Sequence, residues 1–180
     1  GAIERKGEPP WGLPGNILRQ PQAALESRIT AAQAKALLHP TDSLRALQAS
    51  TWDWLCAKPT APLQRRITVL GDADYPQRLL ETADPPVLLY VMGHTRWFGT
   101  QGQLLAWPDK ALAIVGSRNP TAQGASNAQA FAHSLASQGI AVVSGMALGI
   151  DAAAHQGAIA ADASTSQPIP ITVAVIGTGI

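Results

Sequence analysis

The spacing of apolar and polar positions changes along the chain, and each change marks a different kind of structure. Residues 1–21 show no period and are rich in Pro and Gly, which predicts an irregular arm. In residues 22–38, Leu25, Ile29, Ala32 and Ala36 recur at helical spacing and predict one amphipathic helix. His39 and Pro40 end it. Thr41 or Asp42 can cap a second short helix over Leu44 and Leu47. Ser50 or Thr51 can cap a third turn, which places Trp52 and Trp54 in the core of a small all-α, SAM-like module. Residues 58–62, KPTAP, read as a linker, so the first domain is expected over 1–62 and the second over 63–180.

Beyond the linker the period shortens. Residues 67–70 predict a strand, and residues 71–74 a turn. Asp74 is a plausible N-cap, with Pro76 near the start of a brief helix through Leu80. Residues 87–91 predict a second strand, and residues 93–110 a long loop. Residues 111–180 then repeat one order: apolar strand, glycine turn, helix. The strands are expected at 112–115, 140–143 and 171–176, and the helices at 126–138 and 150–161. Ala128, Phe131, Ala132 and Leu135 form the inner face of the first helix, and Gly139 suits the position after its end. Residues 162–170 read as a polar loop.

Strands apolar on both faces and separated by helices predict a parallel α/β sheet covered on both sides, with right-handed crossovers. Both glycine turns then fall at the carboxyl edge of the sheet, where open α/β folds bind ligands. The third glycine turn, at 177–179, has no helix after it, so the chain reads as a piece of a longer protein.

Composition narrows the function. Apolar residues make up 46% and the net charge is +1, so a disordered charged tail is excluded. Charged residues are only 14%, against about 25% in a typical domain. This poverty is uneven: Arg118 is the only Lys or Arg in residues 111–180. A broad basic surface is therefore absent, though a small focused one is not. Cys56 is the only cysteine, so no intrachain disulfide forms, no multi-Cys zinc pattern fits, and a reducing cytoplasmic setting is the simplest expectation. No apolar run is long enough for a membrane span, and the scattered His39, His94 and His133 suggest no metal site. No cofactor is expected.

The first turn, 116–124, has two readings. Gly116 lets the chain leave the strand sharply, and the next helix start offers free N–H groups and a positive dipole end that favour phosphate. Ser117 and Thr121 add hydroxyls, and Arg118 adds a planar charged fork. The alternative is a plain strand-to-helix turn with a surface Arg. Neither G-x-x-x-x-G-K-[ST] nor G-x-G-x-x-G is present, so ATPase or NAD chemistry has no support. In the second turn, Gly145 and Gly149 permit close backbone approach, and Asp151 can cap the following helix. Asp151 and His155 share a helix face beside Ser144, which admits a catalytic-triad reading. The G-x-S-x-G elbow is missing, and a structural pair is the commoner meaning. Trp97, Phe98 and Trp107 either stack on bases or anchor the long loop.

Four segments carry a family resemblance: DADYPQRLLETADPPVLLYVMG (72–93), ALAIVGSRNPTAQG (111–124), GIAVVSGMALGIDAAAHQGAI (139–159) and ITVAVIGTGI (171–180). The chain resembles the DNA-processing protein A family, also called DprA or Smf. That resemblance implies an extended Rossmann-like domain that binds single-stranded DNA without cutting it. It implies protection of incoming strands, loading of a RecA-type recombinase in natural transformation, and a homodimer. By position, Gly116, Ser117, Arg118, Gly145 and Met146 would line a phosphate pocket, and Gly124 would hold the helix start. Thr121, Ser144 and Gly149 join them as candidate contacts, while Asp151 and His155 take structural roles. The competing expectation is a nucleoside-monophosphate sensor or hydrolase of a related Rossmann-like group.

Overall fold

The computed structural model describes residues 18–57, 62–161 and 170–177. Most of the predicted arm, most of the linker, most of the 162–170 loop and the end of the third glycine turn lie outside these. The chain divides into two compact units, Gly1–Ala57 and Lys58–Ile180.

In the first unit the expected 22–38 helix is two helices, α1 (Gln22–Glu26) and α2 (Ala31–Leu38). Local hydrogen bonding decides against continuity. Thr30 accepts from the Gln33 N–H, and the Gln33 side chain accepts from the Thr30 N–H, a reciprocal cap that starts a new helix. Leu25 and Ala34 are fully buried. The two helical pieces expected over 42–55 are instead one, α3 (Asp42–Cys56), capped by Thr41. Ser50 caps nothing: its hydroxyl donates back to the Leu47 carbonyl. α3 buries none of its residues; Trp52 is exposed and Trp54 only half-buried, which corrects the expected tryptophan core.

The second unit begins with an antiparallel pair, β1 (Leu63–Val69) and β2 (Leu88–His94), with Ile67 opposite Tyr90. One side chain organises what packs on it. Asp74 is not a helix cap; its carboxylate faces Arg66 of β1, with Nη2 donating to Oδ1 at 3.1 Å and Nε standing 2.6 Å from Oδ2. Asp74 Oδ2 also accepts from the Leu104 N–H, and the Asp74 carbonyl accepts from Trp107 Nε1. Burial alone would raise the Asp74 carboxyl, but Arg66 and the Leu104 N–H together hold it below its ordinary value. The brief helix after Pro76 is a 3-10 turn, Gln77–Glu81. The long loop contains a second one, Thr95–Trp97, and a bridge between Phe98 and Leu104, both buried. The loop aromatics therefore anchor it.

The rest is the strand–turn–helix series: β3 (Ala111–Ala113), α4 (Ala122–Ser137), β4 (Ala141–Ser144), α5 (Ile150–Ala161) and β5 (Thr172–Ala174). The strands form a parallel sheet in the order β3-β4-β5, so the fold is a mixed α/β, Rossmann-like one. α4 starts earlier than expected because Thr121 caps it, its hydroxyl accepting from the Gly124 N–H at 3.1 Å. Gly139 ends it at φ +75°.

Val142 is fully buried among Ala132 and Ala136 of α4 and Ala154, Ala158 and Ala161 of α5. Both helices thus cover one face of the sheet. Among the described residues of this unit no helix covers the other face. Successive crossovers of one hand between neighbouring strands put their helices on the same side. Val143 and Val173, in register on the other face, are half-exposed, and Val115 and Val175 are exposed. Small residues let the helices approach closely: a Cβ on Gly157 of α5 would run into the Gln129 carbonyl of α4. Phe131 is exposed rather than on the inner face, because Ala128, Ala132 and Ala136 already fill the contact with α5. Among the described residues no helix is long and apolar enough to cross a membrane.

Candidate nucleic-acid interface

Both glycine turns leave the carboxyl ends of neighbouring strands, and the backbone locks them together. The Ile150 N–H donates to the Ser117 carbonyl at 3.1 Å. Gly149, at φ +86°, lies against the same carbonyl and that of Arg118; an added Cβ would stand 2.7 Å from the Arg118 oxygen and closer still to the Ser117 oxygen. Gly116 is also close-packed, against a side chain rather than backbone, with Ile150 Cγ1 2.8 Å from where a Cβ would sit. These glycines are needed for turn-to-turn packing.

Within the first turn, Ser117 Oγ accepts from the Asn119 N–H at 3.1 Å, which folds the backbone back toward α4. Arg118 is exposed and has no ion-pair partner among the described residues. Thr121 spends one lone pair on its cap and keeps its proton for another acceptor.

In the second turn the candidates separate. Ser144 is 3% exposed, and its hydroxyl donates to the Ile114 carbonyl at 2.6 Å. It fastens β4 to the end of β3 and does not face a ligand, which corrects its place among the contacts. Gly145 is exposed, and a Cβ there would come within 3.0 Å of Asp151 Oδ2. Met146 takes φ +62°, the only described non-glycine residue with positive φ. Asp151 is buried and accepts from the Ala147 N–H at 3.3 Å, so it holds the turn from beneath.

His155 turns away from Asp151 toward β5. Its Nδ1 lies 2.7 Å from Thr172 Oγ1, whose own proton goes to the Val142 carbonyl at 3.0 Å. That assigns the Nδ1 proton to His155 and leaves Nε2 as a buried acceptor without a partner among the described residues. Burial pushes His155 below its ordinary value, against the opposing charge of Asp151. Ser144, Asp151 and His155 each bond elsewhere, so they form no triad.

A groove of about 440 Å³ opens between the turns, lined by Arg118 and residues 145–148 on one side and 175–177 on the other. It brings together Arg118, Gly145 and Met146 of the expected contacts. Gly116, Ser117, Thr121, Gly124 and Gly149 do not line it. Ala147, Leu148, Val175 and Ile176 line it as well, and sequence spacing does not place them there. The end of β5 enters only through the sheet order, although Leu148, a large apolar residue inside a glycine turn, is a visible signal.

A profile of the family described as DNA recombination-mediator protein A matches residues 66–180. The chain belongs to this family. The Smf protein of Synechocystis is 36% identical over 109 residues, covering 61% of this chain and 24% of that protein. The DNA processing protein DprA of Streptococcus pneumoniae is 38% identical over 113 residues, covering 63% and 34%. The crystal structure of DprA from Streptococcus pneumoniae superimposes with a TM-score of 0.50 at 25% identity, covering 91% of this chain and 52% of that one. The chain thus spans about a quarter to a third of the length of these curated family relatives.

Proposed function

We propose that residues 63–180 bind single-stranded DNA, with a backbone phosphate held in the groove between the two glycine turns. One observation carries this reading: Arg118, the only cation of residues 111–180, stands unpaired among the described residues on the rim of that groove, beside the exposed backbone of Gly145. A guanidinium on the rim of a groove, beside an exposed glycine, suits a phosphate, and one such contact fixes position rather than sequence. In this reading the module binds rather than cuts, and the one triad the sequence offers is committed elsewhere, to Ile114, Ala147 and Thr172.

Membership of a recombination-mediator family supports the wider role. In it the whole protein, a cytoplasmic homodimer, protects incoming single strands and passes them to a RecA-type recombinase during natural transformation. The test is fluorescence anisotropy with labelled oligo-dT at low salt, comparing wild type with Arg118→Ala. A roughly tenfold weaker complex is expected for the variant, the usual size of one charge-assisted contact. Equal affinities overturn the assignment.

A further inference from the structure

Both walls of the groove are tied to the first turns of α5. Asp151 accepts from the Ala147 N–H at 3.3 Å and so holds the wall at 145–148. His155, one turn later, reaches the strand that runs into the opposite wall: its Nδ1 lies 2.7 Å from Thr172 Oγ1 of β5. β5 is itself laddered to β4, with the Val142 N–H donating to the Ile171 carbonyl and the Val175 N–H to the Ser144 carbonyl. The sheet wall is therefore fixed. The His155–Thr172 bond sets α5, and the turn fastened to its start, against that wall.

The neutral imidazole satisfies this arrangement and the charged one does not. Nε2 is buried with no partner among the described residues, so a proton there would be a buried donor without an acceptor. The elements around it offer one counter-charge. α5 carries Asp151, the strands β4 and β5 carry no titratable group, and His133, the titratable group of α4, is exposed. Asp151 already accepts from Ala147. A charged ring thus has two ways out, and each releases a wall. Turning its new proton toward water gives up Thr172; drawing Asp151 to it takes that carboxylate from the Ala147 N–H.

We propose that His155 is a positioning residue of the groove: it sets the spacing of the two walls, which hold a DNA phosphate tightly while the imidazole is neutral and loosely once it is protonated. This rests on the phosphate-holding reading above. Binding and protonation then oppose each other, and by reciprocity a bound strand disfavours the proton on His155. The sign is diagnostic. A polyanion beside a histidine ordinarily favours the charged form, and any other histidine that gains a proton strengthens attraction to DNA.

The test titrates the His155 imidazole of wild type by NMR between pH 8 and 5, free and saturated with oligo-dT. Anisotropy follows oligo-dT affinity over the same range, wherever circular dichroism shows the chain folded. Oligo-dT is expected to lower the His155 midpoint, and affinity is expected to fall about fivefold with acid, the worth of one lost hydrogen bond. The affinity of His155→Gln should not fall. The proposal is overturned if oligo-dT leaves the wild-type midpoint unchanged or raises it, a result that needs no variant. It is equally overturned if wild-type affinity does not fall, or if His155→Gln falls alike. Wild type that binds no oligo-dT at any pH overturns the phosphate reading and this one with it.

Discussion

Gly149 and Ser117 join the two glycine turns: the Gly149 α-carbon rests against the Ser117 carbonyl, which also accepts the Ile150 N–H at 3.1 Å. No other residue fits at 149. A side chain would collide with two carbonyl oxygens and would have to adopt φ +86°. The groove exists because these two turns touch.

Gly149→Ala is therefore expected to cost about 2–3 kcal/mol, combining strain at positive φ with the clash. Urea denaturation measures it as a lower midpoint. Oligo-dT affinity should fall as well, since the separated turns no longer present Arg118 and Gly145 to one ligand. Unchanged stability would show that the turns can part without cost.

Arg118 is exposed, so Arg118→Ala should change stability by less than about 0.5 kcal/mol. Its effect belongs to binding. The plot of log affinity against log salt should become shallower by about 0.7, one phosphate contact on a single strand. A parallel plot would place the phosphate elsewhere.

Asp74 supports the β1–β2 unit by joining Arg66, Leu104 and Trp107. Asp74→Ala leaves the Leu104 N–H without its acceptor and Arg66 with Asp72 alone, 3.8 Å away, at a cost of about 2 kcal/mol. The double variant Asp74→Ala with Arg66→Met should recover part of the loss, because it removes the under-paired charge. Equal midpoints for wild type and the single variant would refute this role.

Stability should also depend on pH through His155. Its folded value lies below the ordinary 6.5, so between the two values the unfolded chain binds a proton that the folded chain does not. Stability is then fully present above about 6.5 and falls as pH drops below it. Asp74, also lowered, adds a second loss at more acid pH, below the ordinary 3.8. Denaturation midpoints of wild type and His155→Gln, followed from pH 8 to 5, check the first of these. The variant's curve should be flatter across that interval.

The periodic segments are legible in the order of residues alone. α5 falls over the expected residues, Gly139 ends α4, and the parallel order of β3, β4 and β5 follows from the alternation of apolar strands and helices. The departures share a cause. Periodicity predicts one helix where Thr30 and Gln33 cap each other, and two where Thr41 alone suffices, because caps of similar residues compete through side-chain geometry. Trp52 and Phe131 are apolar and suitably spaced, yet exposed; spacing chooses a face but not a neighbour. Asp74 has the local setting of a cap, while its partners lie eight and some thirty residues away.

The site divides the same way. The amino-acid sequence alone determined the family signature, the glycine turns and Arg118 as the one cation near them, because these depend on residue identity and short spacing. Only the tertiary structure decided that Ser144 and His155 point into bonds of their own, that Gly149 is a packing contact, and that Leu148 and Val175 share a groove with Arg118. Those outcomes depend on which strands lie side by side. Strand order brings together residues about thirty positions apart, and that proximity comes from packing the sheet rather than from local periodicity.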